Sequence, residues 1–109
     1  MIVKYLPTDK QGFIKQIYLD DVLNKHNDML AFYVFFENGV YHINDDCDTL
    51  FNINPDLTKP TEEISKILKK YGVSFGVEGR LFINTKKDEL ESKEKDFIKM
   101  LTEINNLYA

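Results

Sequence analysis

Asn38 and Gly39 constrain the fold more than any other pair of residues, because they separate two apolar segments. The first segment, Met29–Glu37, is rich in Phe, Tyr and Val, which favours a strand buried on both faces. The second segment, Val40–Asn44, follows the pair directly. Asn and Gly both accept the positive φ that a type I′ turn requires, so the sequence predicts a β-hairpin here.

Other short apolar stretches predict the remaining strands of the N-terminal half. We expect an edge strand over residues 1–6, a loop over residues 7–12 and a strand over residues 13–19. The last of these also carries apolar residues at helical spacing, so a helix is the alternative there. After the hairpin, the Asp-rich residues 45–48 predict a turn, and residues 49–53 predict a further strand.

A helix and a second hairpin are predicted next. Residues 61–71 begin with Thr61, which can cap a helix, and Gly72 follows as a left-handed stop. Residues 73–77 and 80–84 indicate two short strands on either side of a Glu-Gly turn.

A long helix is predicted at the C-terminal end. Thr85 can cap it, and Asp88, three residues on, can complete a capping box. Apolar residues recur at helical spacing up to Tyr108, which is typical of a helix that packs on a sheet. These elements predict a single α+β domain over residues 1–109, with an antiparallel sheet of five to six strands, two hairpins and two helices on one face. The expected core is Phe32, Val34, Phe36, Ile43, Leu50, Ile67, Phe97 and Leu101.

The composition indicates a soluble cytoplasmic chain. Of the 109 residues, 43% are hydrophobic, enough for one core. Cys47 is the only cysteine, which excludes an internal disulfide and fits a reducing compartment. We see neither a secretory leader nor an apolar run long enough to span a membrane.

Charge is unevenly distributed along the chain. The formal net charge is −4, but residues 20–63 hold ten acidic residues and two lysines and therefore carry −8. An acidic field repels nucleic acid and attracts basic protein surfaces. We therefore expect no direct nucleic-acid binding and a basic protein partner; the alternative is a merely solubilising face. The candidate partner-binding residues are Asp20, Asp21, Asp48 and Asp56.

Two polar motifs flank the predicted hairpin and form the candidate site. His26 and Asp28 precede it, and Asp45, Asp46 and Cys47 follow it. Because a hairpin brings its two ends together, we expect these side chains to meet. Histidine, cysteine and carboxylates are the ligands that zinc prefers, so the site predicts a divalent metal, with zinc as the first candidate. The spacing matches no standard zinc motif.

Alternatives to the metal site remain open at this point. In an extended strand, Asp45 and Cys47 point to one side, while His42 and Asp46 point to the other, which makes His42 a second candidate ligand. The motifs can also be simple turn formers, with Cys47 a small buried apolar residue.

Catalysis has less support than binding. We find no Ser/His pair at a recognisable spacing, no H-E-x-x-H motif and no phosphate-binding glycine loop. Carboxylates beside Cys47 would raise the pKa of its thiol and so work against a thiolate nucleophile. The alternative function is a metal-dependent hydrolase, such as a phosphodiesterase, that uses His26 and the neighbouring carboxylates.

The two motifs also carry a resemblance to a known family. Residues 23–28, the Asn-Gly turn and residues 43–46 resemble an uncharacterised domain family of bacteria and phages, and the likeness extends over residues 16–108. That family shows a His-Asn-Asp triplet, a strand and an Asp pair usually followed by glycine. This chain departs from it with Cys47 at the glycine position and Asp21 where proline is common.

The resemblance implies a shared site and a biological setting. It makes His26, Asp28, Asp45 and Asp46 the family's candidate site residues and implies a phage or mobile element as the source. Small acidic proteins of such elements often inhibit host defence, which is an argument by association. We therefore expect a counter-defence protein, of the anti-CRISPR kind, that binds a CRISPR effector nuclease in the host cytoplasm through its acidic surface, with a structural divalent metal as an option.

Overall fold

A computed structural model describes residues 1–5 and 13–108. The loop predicted over residues 7–12 lies outside the described part. The elements, in chain order, are strands β1 (Ile2–Tyr5), β2 (Phe13–Leu23), β3 (Met29–Glu37) and β4 (Val40–Asn44), helices α1 (Asp48–Ile53) and α2 (Glu62–Tyr71), strands β5 (Ser74–Phe75) and β6 (Leu81–Thr85), and helix α3 (Leu90–Tyr108). Single 3-10 turns occupy Val77–Gly79 and Lys87–Glu89.

The strands form one antiparallel sheet in the order β1-β2-β3-β4-β6-β5. The predicted α+β class, with a six-stranded sheet and two long helices of which the second is C-terminal, is confirmed. At the turn between β3 and β4, φ is 53° for Asn38 and 77° for Gly39, so both residues adopt the left-handed conformation that a type I′ turn needs.

One face of the sheet carries the core. Ile17 of β2 lies opposite Phe32 of β3, and Val34 of β3 lies opposite Ile43 of β4, which in turn faces Ile83 of β6. Helices α2 and α3 cover this face with their own buried side chains. The buried residues of these two helices are Ile64, Leu68, Phe97, Met100, Leu101 and Ile104.

Two details of the predicted core are wrong. Phe36 is 44% exposed because it lies beside the hairpin turn, beyond the reach of the helices, where its ring contacts Tyr41. β3 is also buried on one face only, since the side chains that alternate with Phe32 and Val34 are half-buried. Ile67 is partly buried at the edge of the core.

Residues 49–53 form helix α1, and the predicted strand there is wrong. The reason is Asp45, whose carboxylate accepts the backbone N–H of Thr49 at 3.0 Å and so supplies a partner to the first turn of a helix. Local apolar character alone does not separate a short strand from a short buried helix.

The second hairpin and the helix ends follow the predictions with two changes. Thr61 caps α2 by accepting the Ile64 N–H at 3.2 Å, and Gly72 ends it with φ 67°. β5 is shorter than predicted. Thr85 is buried within β6 and caps no helix; α3 begins after the intervening 3-10 turn.

Among the described residues, no helix combines the length and the apolar composition that crossing a lipid bilayer requires.

Candidate functional site

The first motif forms the loop between β2 and β3. The Asn24 side-chain oxygen accepts the backbone N–H of His26 at 2.8 Å and that of Asp28 at 3.1 Å, which closes the loop locally. The His26 ring reaches helix α1 and donates from Nε2 to the Asn52 carbonyl oxygen at 3.1 Å. Because a carbonyl oxygen only accepts, Nε2 carries the proton.

The second motif is organised by Asp45, which is fully buried. Its carboxylate accepts the backbone N–H groups of Cys47 at 3.0 Å, Thr49 at 3.0 Å and Leu81 at 2.9 Å. Burial raises the pKa of Asp45, and these hydrogen bonds oppose the rise without cancelling it. Asp45 therefore joins the start of α1 to strand β6.

The two residues after Asp45 form the turn between strand β4 and helix α1. Asp46 has φ 53° and Cys47 has φ 67°, both in the left-handed region. Asp46 is exposed and Cys47 is half-buried. A glycine would adopt the conformation of Cys47 without strain.

The hairpin does not bring the two motifs together, so that prediction is wrong. β3 has nine residues and β4 has five, and Asn44 lies opposite Tyr33 rather than Met29. The four-residue offset from Met29 to Tyr33 separates the motifs by about 13 Å along the strand. Helix α1 runs in this gap, which is why its C-terminal end meets His26.

Within the described part of the chain, no three His, Cys, Asp or Glu side chains stand close enough to hold a metal ion. Asp28 is exposed on the loop before β3, far from Asp45 by the same register. His42 projects from the opposite sheet face to buried Ile43. Metal binding therefore stays a prediction of the sequence, and the described residues form no group of ligands for it.

The four acidic residues predicted to bind a partner lie in two places. Asp20 and Asp21 are exposed on β2, where Asp20 forms an ion pair with the N-terminal amine. Asp48 starts α1, and Asp56 is exposed in the loop that follows α1. Burial raises the pKa of the Asp48 carboxyl, and the nearby charges of Asp45 and Asp46 raise it further.

A groove next to α1 combines carboxylates with an exposed ring. We call it the acidic groove; it has a volume of about 460 Å³. Phe51 is 57% exposed there, although large aromatic side chains are usually buried. Neither Phe51 nor Glu78 stood out in the sequence, because a strand was expected at the first and a plain turn at the second. The groove is lined by Asp46, Cys47, Asp48, Phe51, Pro55, Leu57, Thr58 and Glu78.

The sheet face opposite the core holds a second arrangement that sequence reasoning missed. His42 stacks on Phe35 with ring centroids 4.7 Å apart and planes 12° apart. His42 also hydrogen-bonds Asn84 of β6, with Nδ1 2.7 Å from Oδ1. Side chains alternate along β4 and β6, so His42 and Asn84 share a face of the sheet once these two strands are known to pair. This alternation was the only signal for the arrangement in the sequence.

Comparisons with curated proteins and with solved structures returned no match. A comparison with protein-family models matched residues 22–104 to a domain of unknown function, DUF1828. The match covers most of the chain, including both polar motifs, helix α1 and most of α3. The chain therefore belongs to the DUF1828 family.

Proposed function

We propose that this protein is a counter-defence inhibitor that binds a basic partner protein through the acidic groove. The partner class we propose is a CRISPR effector nuclease, and the setting is the cytoplasm of a host cell that carries a phage or mobile element. The observation that carries the proposal is the exposed Phe51 ring among the carboxylates of Asp46, Asp48 and Glu78.

Each part of the groove has a use in protein recognition. An exposed aromatic ring can anchor an interface by filling a pocket on the partner. Carboxylates around it attract basic residues, speed association and fix the orientation of the partner. The buried Asp45 carboxylate holds the backbone that carries Asp46 and Asp48, so the groove is organised before binding.

Nuclease channels that bind nucleic acid are rich in lysine and arginine, which makes them a suitable partner for such a surface. The same charge argues against direct nucleic-acid binding by the groove. The support is thus the match between an acidic, aromatic surface here and a basic surface on the partner.

The test uses purified effector nucleases and two matched double variants. Asp46→Asn with Asp48→Asn removes two of the three negative charges of the groove, and Asp20→Asn with Asp21→Asn makes the same change in net charge on β2. We expect at least a tenfold loss of affinity, about 1.4 kcal/mol, for the groove variant and less than a threefold loss for the β2 variant. Phe51→Ala should weaken binding with no change in charge.

Salt and infection assays complete the test. Affinity measured by biolayer interferometry should fall between low and physiological salt, because part of the attraction is screened. The parent chain should protect a phage from a host that expresses the effector, and the groove variant should not. Equal losses for the two double variants, or binding that ignores both salt and Phe51, would contradict the proposal.

The hydrolase alternative gains nothing from the geometry. It requires His26 beside the carboxylates of the second motif, and His26 instead contacts the end of α1. It stays a prediction of the sequence, as does a structural zinc ion.

A further inference from the structure

The sheet face opposite the core is built from two rows of side chains around β4. In one row His42 lies between Phe35 of β3 and Asn84 of β6, and in the other Asn44 lies opposite Phe82 of β6. Cross-strand partners on one face stand about 5 Å apart, so these five side chains form a continuous floor of rings and amides.

Hydrogen bonds within the floor fix which groups are free for a ligand. His42 donates from Nδ1 to the Asn84 side-chain oxygen, because that oxygen only accepts, and this leaves the His42 Nε2 atom open. The Asn44 side-chain oxygen accepts the Asp46 N–H at 2.9 Å. Within the described part of the chain, the amide nitrogens of Asn44 and Asn84 bond no other group and remain as donors.

A loop after β5 raises a wall beside this floor. Gly76 approaches the Phe82 ring so closely that a Cβ on it would lie 3.2 Å from that ring. The floor and the wall enclose a volume of about 340 Å³, which we call the open-face groove. This volume falls at the small end of ligand sites, which span roughly 300–1,000 Å³.

Arg80 supplies the only guanidinium of the chain, and it lines this groove. Arg80 directly precedes β6 with an extended backbone, so the alternation of side chains places it on the same side as Phe82 and Asn84. Among the described residues its guanidinium forms no ion pair and no hydrogen bond, while its backbone bonds Gly76 and Val77. A guanidinium that pairs with none of the acidic side chains in the described ranges is available to an anion from outside.

We propose that the open-face groove binds a nucleotide, with the base on the floor and a phosphate at Arg80. Flat rings such as Phe82 stack on a heteroaromatic base, and amide donors can bond its edge. The Arg80 guanidinium matches a phosphate in charge and in planar geometry. A purely apolar ligand would leave the amides and Arg80 unpaired, and a bare anion would not use the rings.

Two sources can supply this chemistry, namely a free mononucleotide or the end of a nucleic-acid strand. Glu78, within the Val77–Gly79 turn, and Asp46 line the neighbouring acidic groove and give the surroundings a negative charge. Further phosphates of a strand would be repelled there. The groove therefore suits a free mononucleotide better, and its ligand is independent of the protein partner proposed above.

The test is titration of the full chain with the four ribonucleoside monophosphates, followed by calorimetry and by amide NMR shifts. At least one should bind, with shifts confined to the residues of the groove. The matching nucleoside and inorganic phosphate should each bind at least tenfold more weakly. Arg80→Met should weaken nucleotide binding at least tenfold and leave nucleoside binding unchanged.

Lys69→Met is the charge-matched control and should bind nucleotide like the parent. Lys69 is exposed on α2, which packs on the opposite face of the sheet. Asn84→Ala is a second groove variant at an exposed position and should also weaken binding. Urea unfolding confirms that each variant is folded. A short oligonucleotide that binds far more tightly than the monophosphate would assign the site to a strand end. Absence of binding by all four monophosphates at millimolar concentration, or binding indifferent to Arg80→Met, would overturn the proposal.

Discussion

Asp45 shows how a single buried side chain sets local structure. Its carboxylate accepts backbone N–H groups from Cys47, Thr49 and Leu81, so it connects the turn, helix α1 and strand β6. Buried carboxylates are costly unless they are bonded in this way. The residue that sequence reasoning offered as a metal ligand thus has a structural role, and its oxygens are occupied by the backbone.

Replacing Asp45 with Asn should therefore destabilise the fold. The Asn side chain has one oxygen, and its amide group would confront backbone N–H donors, leaving buried groups unpaired. We expect the free energy of unfolding to fall by about 2–3 kcal/mol in urea titrations at neutral pH. Asp56→Asn, at an exposed position, is the control and should change it by less than about 0.5 kcal/mol. Equal stability of the two variants would contradict this role.

Cys47 occupies a conformation that favours glycine. A residue with a Cβ in the left-handed region costs about 1–2 kcal/mol, while glycine loses about 0.5–1 kcal/mol through its freer unfolded chain. We expect Cys47→Gly to leave the free energy of unfolding equal or up to about 1 kcal/mol higher, and Cys47→Val to lower it by more than about 1 kcal/mol. If Cys47→Gly markedly lowered the free energy of unfolding, and zinc stabilised the parent but not the variant, Cys47 would instead be a metal ligand.

At the level of elements, the unequal lengths of β3 and β4 determine which loops and helices contact each other. The first half of β3 extends beyond β4, and α1 occupies the space beside it. The C-terminal carbonyl groups of α1 then accept hydrogen bonds. The Asn52 oxygen accepts from the His26 ring, and the Ile53 oxygen accepts from the Lys25 ammonium. Cations and N–H donors are favourable at this end of a helix.

The variant His26→Ala tests this arrangement against the metal hypothesis. Loss of one exposed hydrogen bond should lower the free energy of unfolding by about 1 kcal/mol or less. The change should be the same with a chelator and with added zinc, measured by urea unfolding. Lys69→Ala serves as a surface control. A loss of several kcal/mol in the parent on adding the chelator, absent in the variant, would support a structural metal.

Helix α3 supplies Phe97, the largest fully buried side chain that does not come from the sheet. Phe97 is fully buried and its ring lies 5.1 Å from that of Phe32. Truncating it leaves a cavity, so Phe97→Ala should lower the free energy of unfolding by about 3–5 kcal/mol. Phe51→Ala, at a 57% exposed position, should cost less than about 1 kcal/mol. Similar melting of the two variants would contradict the packing described here.

At the scale of the whole molecule, the helices cover one sheet face and leave the other to rings and amides. This division separates stability from binding. The core face holds the buried apolar residues, while both candidate binding grooves lie outside it, on the two sides of the Val77–Gly79 turn. The charge of residues 20–63 is likewise divided, since Asp20 and Asp21 lie on β2 and Asp46 and Asp48 lie beside α1.

Stability of the whole chain should depend on pH through Asp45. Because burial raises its pKa, the folded chain keeps this proton at pH values where the unfolded chain has released it. The free energy of unfolding contributed by Asp45 is therefore greatest below the ordinary Asp pKa of about 3.9 and falls as pH rises towards the raised pKa of the folded state.

Urea unfolding of the parent and of Asp45→Asn over a series of pH values isolates this contribution. The advantage of the parent over the variant should shrink as pH increases through that window. An advantage that grows with pH would show that the hydrogen bonds outweigh burial at Asp45.

The sequence predicted correctly the elements that have strong local signals. Its predictions were wrong where a residue outside the segment determines the structure. The Asn38-Gly39 turn, the Thr61 cap and the Gly72 stop are local, because each follows from the φ angles or the hydrogen bonds of a few neighbours. Residues 49–53 became a helix because of Asp45, and the periodicity of a segment this short could not show that. The candidate site failed for a similar reason, since strand lengths and register determine where a hairpin's ends lie.

The sequence by itself determined the α+β class, the main hairpin and the two long helices, since turn chemistry, helix caps and apolar periodicity are properties of adjacent residues. Only the tertiary structure decided which polar residues share a surface. It separated His26 from Asp45 by pairing Tyr33 with Asn44, and it placed His42 beside Asn84 by pairing β4 with β6. The physical reason is that strand register depends on contacts between segments far apart in the chain, and each change of register by one residue turns every side chain to the other face.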